Sequence, residues 1–358
     1  MALSPFDHPF LSGLFADPEI AALMSADADL GAMLRFEVAL AEAQVDQGVI
    51  PETAASHIAR LIDFKPDLAA LRAGVGQDGV VVAQLVKQLR AQLPAAVAEF
   101  VHFGATSQDV IDTSLVMRLA SVCDIFDDRL AGLVEDIDQL VARFGTNRLM
   151  ARTRMQDALE ISVADRLIDW RAPLVRHRAR LKELRSRLLV VQFGGAVGTL
   201  DKFNETGPAI RTALAERLGL GNGAKSWHSA RDGIVEFGNW LALVAGSLGK
   251  IGQDAALMAQ NAMGDISLAS GGGSSAMPHK SNPVAAEALV SLARYAAGSS
   301  GTLAQAMVHE QERSGAAWTL EWLVLPQLIL ATGSSTLHAG RLLTSINSMG
   351  RSETDASP

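Results

Sequence analysis

Between residues 234 and 262 the apolar positions alternate three and four apart: Ile234, Phe237, Leu241, Val244, Leu248, Ile251, Ala255, Met258 and Ala262. This heptad repeat predicts one long helix. Trp240, Leu243 and Leu257 make its other faces apolar as well. A helix that is apolar nearly all round must be buried on several sides, so this segment is expected at the centre of a bundle that other subunits help to complete. Helical spacing also recurs over residues 17–48, 80–92, 115–144, 161–191 and 284–309, with residues 151–159 entering the helix that follows. Pro5 and Pro9 leave residues 1–15 as an irregular arm. Short helices are expected up to residue 75, a glycine-punctuated loop over 74–79, a break at Pro326 and Gly333 within residues 322–340, and a disordered end from Arg351 to Pro358. The pattern is that of an all-α protein.

Composition narrows the chemistry. Few aromatics, with one Tyr, leave a core of Ala, Leu and Val, which favours helices over sheets. The 31 basic and 39 acidic residues give a net charge of −8, without the basic clusters that nucleic acid or an anionic membrane would require. An acidic substrate would therefore have to be met by cations concentrated locally. The single cysteine, Cys123, excludes an intramolecular disulfide framework and suits a reducing cytoplasm. No secretory leader is visible in MALSPFDHPF, and no stretch is apolar for the roughly 20 residues that cross a bilayer.

Three stretches carry candidate chemistry. Residues 270–283, SGGGSSAMPHKSNP, cannot be helix, since three successive glycines cost backbone entropy and Pro278 and Pro283 lack N–H donors. A mobile loop there would bring a hydroxyl (Ser274 or Ser275), the Lys280 ammonium and the Asn282 amide onto a small anion. A Gly/Ser linker has no need of Met-Pro-His-Lys-Ser-Asn-Pro after its serines, and a phosphate-binding P-loop would need Gly before the Lys. Residues 101–113, VHFGATSQDVIDT, place Thr106, Ser107 and Gln108 at a helix start with Asp109 as cap or brace. A helix N-terminus suits an anion. Residues 151–159, ARTRMQDAL, form the third stretch.

Taken together these motifs resemble the fumarase/aspartase superfamily. Residues 273–283 match its loop pattern G-S-S-x-M-P-x-K-x-N-P, residues 102–109 its H-x-G-x-T-S-x-D, and Arg152, Thr153 and Gln156 its G-R-T-x-x-Q-x-A. Residues 192–199 and Trp318, Glu321, Trp322, Leu325 and Pro326 look most like its cycloisomerase branch, although residues 193–203 by themselves read as a backbone crossing between helices. One position departs. The superfamily's fumarases, argininosuccinate lyases and adenylosuccinate lyases place a His directly after the Thr, and here Arg154 stands there. That exchanges an imidazole that titrates near neutrality for a fixed positive charge, which suits a substrate with an extra carboxylate.

The resemblance implies a long-helix bundle with units at residues 1–100, 101–312 and 313–358, the last a shortened C-terminal region. It implies homotetramers whose sites combine the three stretches from different subunits, and a small tricarboxylate substrate. The implied reaction is cycloisomerisation of 3-carboxy-cis,cis-muconate to 4-carboxymuconolactone, without metal or organic cofactor, in the cytoplasm. Ser274, Lys280 and His102 are then the catalytic candidates. Thr106, Ser107, Gln108, Arg152, Thr153, Arg154, Gln156, Ser275 and Asn282 are the substrate-binding ones. A fumarate-releasing lyase and a non-catalytic structural relative are the alternatives. Glu310 and Glu312 are expected to be a solvated helix end.

Overall fold

The computed structural model describes residues 4–269, 271–273, 277 and 281–352. Seven helices lead in: α1 (Ser12–Phe15), α2 (Pro18–Leu23), α3 (Ala26–Asp46), α4 (Glu52–Ala59), α5 (Leu68–Asp78), α6 (Val82–Ala91) and α7 (Ala95–Ala98). The long α8 (Ser107–Phe144) is followed by strands β1 (Arg148–Thr153) and β2 (Gln156–Ser162), then α9 (Val163–Leu188), α10 (Gly207–Leu218) and α11 (Asp232–Met258). After β3 (Ile266–Leu268) come α12 (Val284–Gln305), α13 (Ala316–Thr344) and β4 (Ile346–Met349). The protein is all-α apart from two small antiparallel pairs, β1 with β2 and β3 with β4.

Local chemistry fixes the helix starts. Asp17 Oδ1 accepts from Ile20 N–H at 3.2 Å with Pro18 at the first helical position, Ser25 Oγ accepts from Ala28 N–H, and Asp67 Oδ1 accepts from Ala69 and Ala70. Residues 74–78 are helix and not the expected loop. Gly74 lies where α5 meets α6, and a Cβ there would stand 2.7 Å from Gln84 Cβ, so the glycine serves close packing, while Gly79, at φ 74°, ends the helix.

The heptad positions of α11 are buried as expected from Ile234 through Met258, and α11 packs against α9, α12 and α13, but the helix ends there, and Ala262, expected to continue the repeat, lies in a turn and is exposed. A Cβ at Gly249 would lie 2.4 Å from Ala293 Cβ, and one at Gly252 would lie 2.6 Å from the Ala286 carbonyl oxygen. The two glycines let α12 approach almost to backbone contact. Leu243, on the outer face of α11, stays half exposed in the single chain.

Two further expectations fail. Residues 148–162 form a hairpin and do not enter a helix: Thr153 pairs with Gln156 and Arg152 with Asp157, and the two turn residues, Arg154 (φ 50°) and Met155 (φ 65°), are both left-handed. The next helix begins only where Ser162 and Asp165 cap each other, with Ser162 N–H on Asp165 Oδ2 at 2.9 Å and Asp165 N–H on Ser162 Oγ at 3.1 Å. Nor do Pro326 and Gly333 interrupt residues 322–340, because α13 runs through both and packs on α12, α11 and α8. Bundle packing outweighs the hydrogen bond that the proline removes.

There are two apolar cores. One unites α8, α9, α11, α12 and α13; the other joins α3 to α6 with the start of α8, residues 191–203 and α10. Packing therefore groups α13 with the central bundle and α10 with the N-terminal helices. No helix among the described residues is long and apolar enough to cross a membrane.

Candidate active site

At the start of α8, Asp109 organises the backbone. Its buried carboxylate accepts from five donors: Thr106 N–H (3.0 Å), Gly194 N–H (2.9 Å), Gly195 N–H (2.9 Å), Gln192 Nε2 (3.2 Å) and His228 Nε2 (2.8 Å). The glycine-rich connection at 193–203 is thus a backbone crossing, as its composition suggests, and it is tied to the helix start that it crosses. Thr106 and Ser107 are left half-buried at the N-terminus of a 38-residue helix, where unpaired N–H groups favour an anion.

One turn further on lies a buried ionic cluster. Arg231, with a fully buried side chain, donates to Asp112 (2.6 and 3.1 Å) and to Glu321 (2.8 and 2.6 Å), and its guanidinium lies 4.7 Å over the Trp227 ring. Burial works against the Arg231 charge, but Asp112 and Glu321 outweigh it and raise the pKa above that of an ordinary arginine. Burial raises the Glu321 carboxyl against the pull of Arg231. Trp318 Nε1 also donates to Asp112, at 3.1 Å. Gln108 is directed into this cluster: it is fully buried, with Nε2 donating to Asp112 Oδ2 (3.1 Å) and to the His228 carbonyl (2.9 Å). Its amide nitrogen braces the helix start from within the cluster, while its buried Oε1 has no hydrogen-bond partner among the described residues.

His102 sits before this helix in a left-handed conformation (φ 61°), its Nδ1 2.7 Å from Glu37 Oε1. Burial opposes its protonation, but the charge and hydrogen bond of Glu37 overcome it and raise the His102 pKa above the usual histidine value. Arg313 belongs here too, although its place was not legible from its neighbours in sequence. It donates from Nη1 to Thr106 Oγ1 and from Nη2 to the Ala196 carbonyl, both at 3.0 Å, and among the described residues no carboxylate pairs with it. A cation held against a hydroxyl at a helix N-terminus gives that point a local positive potential that favours an anion.

The other two stretches lie at the far end of the bundle. Thirty-eight residues of α8 span about 57 Å, and the hairpin follows its C-terminus. Thr153, Arg154 and Gln156 are exposed there. Arg152 pairs with Asp157 (2.8 Å) and with Asp265. The base of the 270–283 stretch is at the same end, because Arg148 bridges to Arg351 just after β4 and β4 pairs with β3. Gly272 and Asn282 close that base with reciprocal backbone bonds of 2.8 and 2.9 Å. Ser274, Ser275 and Lys280 lie outside the described residues. Within one chain, then, His102, Thr106, Ser107 and Arg313 meet at one end, and Arg152, Thr153, Arg154, Gln156 and Asn282 share the other. Among the described residues no group of His, Cys, Asp and Glu could hold a metal ion.

A family model described as a lyase matches residues 17–298. The chain belongs to the fumarase/aspartase lyase family. It is 41% identical over 342 residues to a 3-carboxy-cis,cis-muconate cycloisomerase of Pseudomonas aeruginosa, covering 94% of this chain and 73% of that protein. It is 34% identical over 337 residues to an N-acetyl-S-(2-succino)cysteine lyase of Dickeya dadantii, covering 92% and 73%. The crystal structure of 3-carboxy-cis,cis-muconate lactonizing enzyme from Pseudomonas putida superposes with a TM-score of 0.89 at 35% identity, over 94% of this chain and 77% of that one. The long-helix bundle of the lyase family is thus the fold seen here.

Proposed function

We propose that this protein is an intramolecular lyase that converts 3-carboxy-cis,cis-muconate to 4-carboxymuconolactone. A carboxylate oxygen forms a C–O bond to one alkene carbon, and the displaced electron pair moves toward the carbon next to another carboxylate. The resulting aci-carboxylate carries extra negative charge until that carbon takes a proton. Read backwards, this is β-elimination of a carboxylate. Catalysis rests on donors and cations fixed where the charge develops, and on holding the nucleophile beside the double bond.

The observation that carries the reading is the supply of cations free of carboxylate partners. Arg313 at Thr106 faces no acid among the described residues, and Arg154 occupies an exposed hairpin tip where the related lyases place a titrating imidazole. A tricarboxylate substrate gives such cations work that a dicarboxylate does not. Thr106, Ser107 and Arg313 bind one carboxylate, Arg152, Thr153, Arg154 and Gln156 take others, and Asn282 with Ser275 and Lys280 completes the enclosure. Ser274 acts as the acid that delivers the proton, with His102 and Lys280 as the alternatives. Since about 57 Å of α8 separates the first group from the second, the working site combines stretches from different subunits of a homotetramer in the cytoplasm. A stable monomer in sedimentation would contradict that assembly.

The direct test is ultraviolet loss of the conjugated diene of 3-carboxy-cis,cis-muconate, with Ser274→Ala alongside. Loss with the parent protein alone establishes the activity and an essential Ser274; loss with both moves the proton to His102 or Lys280. No loss with either, with the protein folded and tetrameric, overturns the assignment. The likeness to a succinocysteine lyase favours fumarate release as the second reading.

A further inference from the structure

Residues 306–315 form a strap between α12 and α13, with buried Ala306 and Ser314 at its ends and Ser314 Oγ accepting from Ala317 N–H at 3.1 Å, and two contacts hold it in between. Outside, Arg313 reaches Thr106 and Ala196. Inside, the His309 side chain is fully buried, with Nε2 3.7 Å from Glu321 Oε1. Between them, Gln311 takes a left-handed conformation (φ 48°) that a non-glycine residue adopts only under constraint. Met307, Val308, Glu310 and Glu312 are exposed, so the inner anchor is His309.

That anchor is incomplete as it stands. Neither His309 nitrogen has a hydrogen-bond partner among the described residues, and burial, followed by the Arg231 charge, lowers the His309 pKa against the pull of Asp112, Glu310 and the Ala306 carbonyl, so the proton it shares is one that Glu321 supplies. Leaving a buried polar group unpaired is costly, and such groups are rare in native proteins. The groups facing the ring are Glu321 from α13, Asp112 from α8, Arg231 from the start of α11 and Glu310 from the strap itself. The buried ones hold one cation against two carboxylates, which leaves them one positive charge short. A proton shared between His309 and Glu321 neutralises the cluster, and a shift of about 1 Å closes the gap to hydrogen-bonding distance.

We propose that His309 is a positioning residue: latched to Glu321 through one shared proton, it fixes the 306–315 strap so that the Arg313 guanidinium stands at Thr106 ready for a substrate carboxylate. This rests on the functional reading only in its last clause. Arg313 touches the anion; His309 acts through Arg313.

The test has two arms on the full-length protein. Amide exchange over residues 310–314 needs no ligand, and we expect it to rise about tenfold in His309→Phe and to be largely restored in His309→Gln, which keeps polar atoms in place. Unchanged exchange in His309→Phe overturns the latch, and should that variant fail to fold, unchanged exchange in His309→Ala does so instead. The second arm measures affinity for tricarballylate, a saturated tricarboxylate that cannot react. His309→Phe is expected to weaken it about tenfold, the scale of one charge-assisted hydrogen bond, and His309→Phe/Arg313→Ala to bind no more weakly than Arg313→Ala alone. Additive losses mean that His309 does not act through Arg313, and they sink the proposal. If the parent protein binds no tricarballylate, the tricarboxylate reading falls, and the exchange arm still decides the latch.

Discussion

The two ends of the bundle are built in opposite ways. At the start of α8 the polar groups are buried and mutually fixed: Asp109 takes five donors, and Asp112, Arg231, Glu321, Gln108 and Trp318 close into one network. At the hairpin and loop base the polar groups are exposed, and they are held by few bonds. Arg154 sits on a two-residue turn, and the base of the 270–283 stretch is closed by the Gly272–Asn282 backbone pair. Preorganised donors serve catalysis when they do not move, while groups that must meet another subunit or enclose a substrate cannot be locked in the free chain. The first end is cross-braced in the single chain, and the second is loosely held.

The contrast should break first at Arg231. Replacing it with Met leaves Asp112 and Glu321 facing one another in the interior, and losing one partner of a buried ion cluster costs about 3–5 kcal/mol. Denaturant unfolding of Arg231→Met measures it; a loss below about 1 kcal/mol would mean that the network is a wet and adjustable one. Asp109→Asn comes next. An amide NH2 would face N–H groups that a carboxylate now satisfies, and we expect about 2–3 kcal/mol, with activity falling because Thr106 and the 193–203 connection lose their common anchor.

The exposed end should behave the other way round. Arg152→Ala removes ion pairs that are partly solvated, so its effect on stability should stay within about 1 kcal/mol. Its effect on kcat/KM should be about 100-fold or more, because the assembled site proposed above loses a cation at the developing charge. Unfolding curves beside initial rates decide this: a large stability change with little kinetic change would make Arg152 a structural tie to Asp265 and remove it from the site.

Much of this division was legible in the sequence, and the rest has physical reasons for hiding. The α11 heptad stood out because burial on several sides imposes a period over about seven turns. The hairpin did not, because five paired positions broken by a bulge at Met150–Arg152 give no run of alternation, and two left-handed residues without glycine leave no turn signal. The Ser162–Asp165 capping box was the available clue. Thr106, Ser107 and Asp109 were found from residue type at a helix start, whereas Gln108, beside them, turned inward toward Asp112. The Arg231 cluster was invisible because its partners are 90 and 119 residues away in the chain. Arg313 was overlooked just after Glu310 and Glu312, which read as a solvated helix end, and only the fold brings it against Thr106.

The smallest effect expected is also the one that tests whether the fixed end holds its proton as well as its geometry. Glu37 raises the His102 pKa in the folded chain above the unfolded value near 6.5. A raised pKa means that the folded state binds the proton more tightly, so the pair stabilises the fold fully below the unfolded pKa. That contribution is lost as pH rises through the folded pKa. The stability of the parent protein minus that of Glu37→Gln should therefore shrink on passing from pH 5.5 to pH 8.5. If the difference grows with pH, or if Glu37→Gln leaves the pH dependence of unfolding unchanged, His102 is neutral in its pocket at working pH. It would then accept a proton from the reaction and could not supply one, and the choice of acid would narrow to Ser274 and Lys280.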